Sequence, residues 1–402
     1  MNNLDVHRQE LLLKFNAFAD LIQDDLPWIY SALRAISPSA TASDEITKTI
    51  RALRTYVKEV PLLAGRVPMG EVAVALPFNN PLYSFVLYSF GVVLGGSRVV
   101  VRPSGLTGQI VEDIHDRYRS VLDTLPIELA TGSGADFLSG VCHSSSIRSL
   151  IFTGSYENLS TLEPRVPESK TLIYCGSGID PFIVCSDAFS GKGGAARIAE
   201  LAIRSKLHNS GQDCLCAERF YVHEDLLDLF VSELVSRVAA LPVGSFEDED
   251  AEIVPLMGDL AGRLAMLIAK EKNPLVHLAG TFDGALVHPY VLQVPIDSDL
   301  LTTEKFGPVF VMAKFRDNSD IDRALDVDYR FGLTVCGSYS SPILETYPHR
   351  TSSTSVLEAE SEDAHVPFGG RLKSGFVRRG SQRSDGPILY SIETTQPQLD
   401  SS

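Results

Sequence analysis

Apolar residues along this chain recur first at helical spacing and then in short continuous runs. The first set lies three or four residues apart, which places its members on one face of a helix. They are Leu11, Phe15, Phe18 and Ile22. A second helix is predicted over 45–56, after a Ser/Pro/Thr-rich linker at 37–43. Buried strands are predicted at EVAVAL (71–76), SRVVVRP (97–103), SLIFTG (149–154), TLIYC (171–175) and PFIVC (181–185).

The alternation of strands with polar helical stretches predicts a doubly wound, largely parallel α/β sheet. A second α/β unit is predicted beyond residue 190. It contains an amphipathic helix over 224–240, a strand over 307–315 and a Gly-rich segment over 367–375. Since 402 residues exceed one ordinary core, the chain is expected to form two domains.

Composition narrows the possible partners. The chain carries 35 basic and 51 acidic residues, and its net charge of −16 argues against binding nucleic acid. No apolar stretch is long enough to suggest a membrane span, and the N-terminus does not resemble a secretory signal, so a cytoplasmic protein is expected. The six cysteines lack the spacing of a zinc site or a disulfide scaffold, so no metal is expected.

The segment HNSGQDCLCAERFYV (208–222) is the strongest candidate for chemistry. It places Cys214 on a glycine-containing turn before a predicted strand, where a thiol can be presented to a cleft. A lone cysteine is usually a small buried apolar residue, so Cys214 by itself does not establish catalysis.

Other polar residues follow the predicted strands. Asn79 lies beyond the first strand, where its amide could donate to a developing oxyanion, although a turn asparagine before proline is common. Ser155 ends FTGS, which could open a helix toward a cofactor phosphate. Glu304 and Phe306 place a carboxylate beside an aromatic ring.

Taken together, these motifs resemble the aldehyde dehydrogenase superfamily in order and approximate spacing. The matching segments run from about residue 60 to residue 376 and are PFNNPL, VVVRPS, FTGS, NSGQDCLCA, EKFGPV, FGLT and PFGG. The resemblance implies a Rossmann-like cofactor domain, expected at 1–186 with the tail 377–402 returning to it. It also implies an α/β catalytic domain at 187–376.

The resemblance implies a role for each matching residue. Cys214 corresponds to the nucleophile that forms a thioester, and Asn79 with the Cys214 amide corresponds to the oxyanion hole. The residues that correspond to cofactor contacts are Arg102, Ser104, Ser155, Glu304 and Phe306. The expected reaction is NAD(P)-dependent oxidation of an aldehyde.

The chain departs from the family where a glutamate activates the hydrolytic water. Cys175 stands at that position, or Tyr174 if the register slips by one, and a second acidic position holds Arg379. General-base catalysis contributes about 10²–10⁴-fold, so its loss leaves alternatives open. The acyl group could pass to coenzyme A or an acyl carrier, an acyl thioester could be reduced, or the protein could bind without catalysis.

The cofactor segment also differs. Gly105 replaces the carboxylate that binds the adenine ribose, and Leu159 replaces a glycine near the pyrophosphate. Without that carboxylate a 2′-phosphate meets no repulsion and could pair with Arg102, so NADP is slightly favoured over NAD.

The ends and the surface suggest further differences. The chain begins at what resembles the family's second or third N-terminal helix, so a shortened member is expected. Segment 58–70 is too brief for the hairpin through which family tetramers assemble, so a homodimer is expected. Arg371, Arg378 and Arg379 hint at an anionic substrate or an acyl carrier.

Overall fold

The computed structural model describes residues 3–191, 193–352, 354–357 and 368–398. Pro367 of the predicted PFGG turn and residues 399–402 of the predicted tail lie outside these ranges. The helices are α1 (Asn3–Asp24), α2 (Leu26–Arg34), α3 (Ser39–Thr55), α4 (Pro81–Leu94), α5 (Gly108–Arg117), α6 (Arg119–Leu122), α7 (Gly134–His143), α8 (Tyr156–Leu162), α9 (Gly194–Leu207), α10 (Leu227–Val238), α11 (Leu260–Lys270), α12 (Asn318–Leu325) and α13 (Tyr390–Glu393). Single 3-10 segments are Tyr56–Leu63, Glu163–Arg165, His208–Gly211, Glu224–Leu226, Asp299–Thr302 and Pro342–Thr346.

The twenty strands of the described residues form two seven-stranded sheets and three two-stranded pairs. Those of the first sheet are β2 (Glu71–Ala75), β3 (Val99–Arg102), β4 (Ile127–Leu129), β5 (Ile147–Thr153), β6 (Thr171–Cys175), β18 (Gly375–Arg379) and β19 (Gln382–Ser384). Their order is β19-β18-β6-β5-β2-β3-β4, and β2 to β6 run parallel. The sequence-based prediction of a doubly wound α/β fold is confirmed.

The second sheet has the order β16-β15-β7-β8-β13-β12-β9 and is parallel except for β9 at one edge. Its strands are β7 (Asp180–Val184), β8 (Ala217–His223), β9 (Leu275–Leu278), β12 (Tyr290–Gln293), β13 (Val309–Phe315), β15 (Gly332–Cys336) and β16 (His349–Thr351). The antiparallel pairs are β1 (Arg66–Pro68) with β20 (Thr395–Pro397), β10 (Phe282–Asp283) with β11 (Leu286–Val287), and β14 (Tyr329–Arg330) with β17 (Arg371–Leu372).

The chain passes from the first sheet to the second at residues 176–179, earlier than the expected boundary at 186. Strand β7, which the sequence assigned to the first domain, pairs with β8 and β15 of the second sheet. A continuous apolar run fits either sheet, and only strand pairing assigns it. The tail returns through β18, which lies antiparallel on β6 and begins two residues before the expected bound at 377. The division into two domains itself stays a prediction.

Each sheet is covered by apolar side chains on both faces. On the first sheet, α1, α3 and α4 cover one face through a set that includes Phe15 and Phe90, whose ring centroids lie 4.8 Å apart. Side chains around Leu159 fill the other face. In the second sheet, Phe220 and Tyr221 point to opposite faces, as the two-residue period of a strand requires.

The N-terminal segment differs from the prediction at its linker. Residues 39–43, expected to be irregular, form the first turns of α3, with Pro38 preceding the helix. Thr41 and Ala42 are buried there, so tertiary contacts override the weak helical preference of this polar segment. Segment 58–70 forms a 3-10 turn and then β1. Among the described residues, no helix is long and apolar enough to cross a membrane.

Candidate active site

A cavity of about 370 Å³ lies at the carboxyl ends of β2, β3, β5 and β6. Doubly wound sheets bind their ligands at this edge. The turns that precede β8 and β13, together with α11, form the opposite wall. Six of the predicted site residues line it: Asn79, Ser104, Ser155, Cys214, Glu304 and Phe306.

The turn before β8 has an uncommon backbone conformation. Asn209, Ser210 and Gly211 all have positive φ, at 49°, 56° and 83°. Side-chain bonds hold this turn, because the Ser210 hydroxyl accepts from the Val254 amide at 2.9 Å and the Gln212 Oε1 accepts from the Met257 amide at 2.8 Å. Left-handed non-glycine residues persist only where the surroundings over-determine them, and they cluster at functional sites.

Gly211 is required in this turn for two reasons. Its φ of 83° disfavours any side chain, and a Cβ there would lie 2.5 Å from the Gly307 carbonyl oxygen. The close approach brings the turn that carries Cys214 against the turn that carries Glu304 and Phe306.

The two neighbouring cysteines of the turn have different surroundings. Cys214 is partly exposed and lines the cavity. Cys216 is fully buried, and its thiol donates to the His208 carbonyl oxygen at 3.6 Å. Burial raises the pKa of Cys216 well above its usual value. Cys214 is therefore the thiol placed for reaction with a ligand in the cavity.

Asn79 and Asn80 connect the first sheet to this turn. Asn79 lines the cavity, and its backbone carbonyl oxygen accepts from the Ser84 hydroxyl at 3.2 Å. Asn80 has a φ of 49° and donates through Nδ2 to the Asp213 carboxylate at 2.6 Å. The same carboxylate accepts from the Leu215 amide at 2.9 Å. Asp213 thus ties the residues on both sides of Cys214 to the Asn79 loop.

Glu218 holds the turn that presents Glu304 and Phe306. Its carboxylate accepts from the backbone amides of Lys305 at 2.7 Å and Phe306 at 3.3 Å. Lys206 donates to Glu218 at 2.5 Å, and the Lys305 ammonium lies 3.2 Å away, all three side chains being almost fully buried. Phe306, with a φ of 49°, places its ring edge-on to Phe78 at 5.7 Å between centroids.

The ionisable groups of this turn are strongly affected by burial. Burial and the neighbouring Glu218 carboxylate raise the pKa of Glu304 to about 8, against a hydrogen bond from Ser177. Burial lowers the pKa of Lys305 to about 8. Both side chains line the cavity, so its charge is sensitive to pH near neutrality.

Two hydroxyl groups and a guanidinium group lie on the cavity wall, contributed by Ser104, Ser155 and Arg263. Ser155 caps α8 by accepting from the Asn158 amide at 3.3 Å, as the FTGS motif predicts. Arg263, on α11, is exposed on the wall and makes no ion pair with any described residue. Arg102 does not line the cavity; it donates to the carbonyl oxygens of Pro103 at 2.6 Å and Gly132 at 3.4 Å.

The position expected to hold a general base contains a thiol. Cys175 lines the cavity, and its sulfur lies 3.1 Å from the Tyr390 hydroxyl. Burial raises the pKa of Cys175 to about 12. Tyr174 points away, donating to the Gly154 carbonyl oxygen and packing against Phe376. Of the two residues that the sequence offers for this position, Cys175 lies on the cavity wall and Tyr174 does not.

Other polar side chains near these motifs lie elsewhere. His208 is partly buried 3.9 Å from the Asp44 carboxylate, and desolvation lowers its pKa. Arg378 faces Glu163, and Arg379 pairs with Glu393. Arg371 lies on β17 and is likewise not on the described cavity wall. The three arginines therefore do not form an anion site in this cavity.

Sequence reasoning missed several residues that build the site. Glu218 and Lys206 are twelve residues apart and meet only because β8 packs against α9. Arg263 lies on an ordinary amphipathic helix without a motif. The available signal was Glu218 itself, a charged residue that lies with Arg219 in a strand whose residues 217–222 are all buried.

The chain is similar to known proteins over most of its length. The model of the aldehyde dehydrogenase family matches residues 7–386. A lactaldehyde dehydrogenase of Methanococcus aeolicus is 27% identical over 346 residues, covering 83% of this chain and 71% of that protein. A glutarate-semialdehyde dehydrogenase of Pseudomonas putida is 27% identical over 388 residues, covering 90% and 79%.

Solved structures share the fold at lower identity. An aldehyde dehydrogenase from Brucella melitensis biovar abortus has a TM-score of 0.85 at 22% identity, covering 98% of this chain and 84% of that one. An NADP-dependent glyceraldehyde-3-phosphate dehydrogenase from Bacillus halodurans, solved with NADP, has a TM-score of 0.81 at 20% identity, covering 97% and 85%.

The two cysteines of the turn should differ in covalent labelling. Iodoacetamide should modify Cys214, which faces the cavity, and Cys214→Ala should abolish that modification. Cys216→Ala should retain it because Cys216 is sealed in the core. Intact-protein mass with peptide mapping separates these sites from the other cysteines. Equal labelling of the cavity peptide in Cys214→Ala would refute the assignment.

Removal of the Glu218 carboxylate should destabilise the protein. Glu218→Ala leaves Lys206 and Lys305 buried without their partner, and breaking a buried pair typically costs about 3–5 kcal/mol. Urea unfolding measures the change. Glu345→Ala, which removes an exposed partner of Arg350, is the control and should leave the midpoint unchanged. Similar midpoints for the two variants would contradict this account.

Proposed function

This chain belongs to the aldehyde dehydrogenase family, its assignment as an NAD(P)-dependent aldehyde oxidoreductase is confirmed, and from that premise we propose which residues carry the reaction. Cys214 is the nucleophile and Asn79 the oxyanion donor. The observation that carries this proposal is that both side chains line one cavity with Glu304 and Phe306.

The covalent chemistry takes place on Cys214. Its thiolate adds to the carbonyl carbon, and the former carbonyl oxygen becomes an alkoxide. The Asn79 amide and the Cys214 backbone amide donate to that oxygen, where charge develops. Loss of hydride from the same carbon re-forms the carbonyl group and leaves a thioester on Cys214. A nicotinamide cofactor, when bound, accepts this hydride.

The donor set of the cavity fits a dinucleotide. Ser104 and Ser155 supply hydroxyl groups beside the strand ends, and Arg263, which pairs with no acidic side chain among the described residues, supplies a cation for a phosphate. Glu304 supplies a carboxylate for ribose hydroxyls, and the Phe306 ring supplies an apolar surface. Arg102 lies outside the cavity, so its proposed contact is with the adenosine end of the cofactor.

Release of the acyl group is where this protein is proposed to differ. The Cys175 thiol, with its raised pKa, is a poor base for water at neutral pH. Asp213 lines the cavity but already accepts two hydrogen bonds. This observation favours a second candidate, in which a thiol such as coenzyme A or an acyl carrier accepts the acyl group, or in which a thioester is reduced.

The substrate is proposed to be a small aldehyde. The names of the relatives include lactaldehyde and glutarate semialdehyde, which are compact and polar. We also propose a cytoplasmic location. We propose a homodimer because segment 58–70 is too short for the hairpin through which tetramers of the family assemble.

Deacylation should limit turnover. Enzyme mixed with aldehyde and oxidised cofactor should give a burst of reduced cofactor equal to the active sites, followed by a slow steady state. Coenzyme A should raise the steady-state rate, and added mass should be found on Cys214. Cys175→Glu should raise the rate of thioester hydrolysis by up to roughly 10²–10⁴-fold, which is the contribution of a general base. Cys175→Gln is the control.

Hydrolysis without a burst and without response to thiol would refute slow deacylation. His208 could not then be the base, since it faces Asp44 rather than the cavity. Glu304 would be the next candidate, because its raised pKa suits a proton acceptor near neutral pH.

Cofactor choice should depend on Gly105 and Arg102. NADP(H) should bind at least as tightly as NAD(H), and Arg102→Ala should reduce that ratio. A Cβ on Gly105 would meet no atom within 4 Å, so Gly105→Glu can be made without a clash. It should lower relative NADP(H) affinity by about tenfold through charge repulsion, with Gly105→Gln as the control. Fluorescence titration measures both ratios; a clear NAD preference in the unchanged protein would contradict the proposal.

A further inference from the structure

Helix α4 begins directly after the Asn79 loop, yet none of its own side chains caps it. Its N-cap residue, Asn80, is left-handed and directs its amide to Asp213 instead. The first amides of a helix need acceptors from elsewhere when no local cap is present.

Glu45 of α3 supplies that acceptor across the fold. Its Oε1 accepts from the Leu82 amide at 2.7 Å and from the Tyr83 amide at 3.1 Å. Glu45 is 2% exposed and lies 37 residues before Leu82. Burial raises the pKa of Glu45 to about 8, against the hydrogen bonds from the Tyr83 and Leu82 amides, which lower it.

One turn earlier on the same helix, Thr41 contacts the nucleophile turn. Its hydroxyl oxygen accepts from the backbone amide of Asn209 at 3.0 Å. Thr41 and Glu45 lie four residues apart and share one face of α3. This single helical face therefore touches the loop of the oxyanion donor and the turn of the nucleophile.

We propose that Glu45 is a positioning residue for the reaction: by capping α4 from α3 it fixes the Asn79 amide relative to Cys214. The inference rests on the proposed roles of Cys214 and Asn79. Glu45 itself does not line the cavity, so it acts through the backbone of residues 79–83.

Three substitutions test the hydrogen-bond contact. Glu45→Ala removes the acceptor, and Glu45→Asp keeps a carboxyl group but withdraws the oxygen by one methylene. Glu45→Gln keeps Oε1, which accepts both bonds, and should restore the wild-type properties. Thr49→Val is the control, since Thr49 is buried on α3 and its hydroxyl donates only to the Glu45 carbonyl oxygen.

Kinetics should show the loss as a transition-state effect. Glu45→Ala and Glu45→Asp should lower kcat and kcat/KM together by about tenfold, with KM and the Kd for cofactor unchanged. Asn79→Ala should lower kcat by about 10²–10³-fold. In the Asn79→Ala background, Glu45→Ala should cost less than about twofold, because residues that act through one another are not additive.

Amide hydrogen exchange makes the test independent of turnover. Leu82 and Tyr83 should exchange faster in Glu45→Ala and Glu45→Asp but not in Glu45→Gln or Thr49→Val. Unchanged exchange, or equal kinetic losses with and without Asn79, would overturn the inference. A further outcome is changed exchange in Glu45→Ala while the wild-type protein neither forms a covalent adduct nor oxidises aldehydes. That result would overturn the proposed function and, with it, the role of Glu45 in that reaction. If Glu45→Ala fails to fold, the Asp and Gln pair decides the same question.

Discussion

The left-handed turn at Asn209–Gly211 is the constraint on which the site depends. Three successive positive φ values reverse the chain between α9 and β8 and place Cys214 at the cavity. Such a turn is unfavourable in isolation, so its neighbours must hold it. Thr41, Val254 and Met257 each contribute one hydrogen bond, and they come from two separate parts of the chain, α3 and the segment 254–257.

Two buried glutamates extend this arrangement to the rest of the cavity. Glu45 joins α3 to the start of α4, and Glu218 joins β8 to the turn that carries Glu304. Each side-chain carboxyl group accepts hydrogen bonds from two backbone amides, so each fixes a loop and not a single side chain. A loop whose backbone amides are held by buried acceptors keeps its polar groups in place without reorganisation when charge develops nearby.

Cys175 bears on one stage of the proposed chemistry. The residues proposed to form the thioester lie together on the cavity wall, whereas the position proposed for the group that activates water holds a thiol beside Tyr390. A buried carboxylate at this position would require polar partners, and the surroundings of Cys175 are largely apolar. The local packing is therefore adapted to a neutral side chain, which is consistent with acyl transfer to a better nucleophile than water.

The sequence by itself determined the α/β class, the family and six of the residues on the cavity wall. Helical periodicity identified the buried face of α1, and the short apolar runs identified the strands, because these signals are local. Asn79, Ser155, Cys214 and Glu304 could be selected because motif spacing reports strand ends and turns.

Only the tertiary structure decided the remaining features. Strand β7 belongs to the second sheet and not, as predicted, to the first, because hydrogen-bond pairing, unlike an apolar run, is not encoded within one segment. Arg378 and Arg379 lie outside the cavity, where they face Glu163 and Glu393. The contacts of Glu45 and Glu218 are visible only in the structure. Their hydrogen bonds join residues 37 and 87 positions apart, a separation at which no sequence pattern specifies a hydrogen bond.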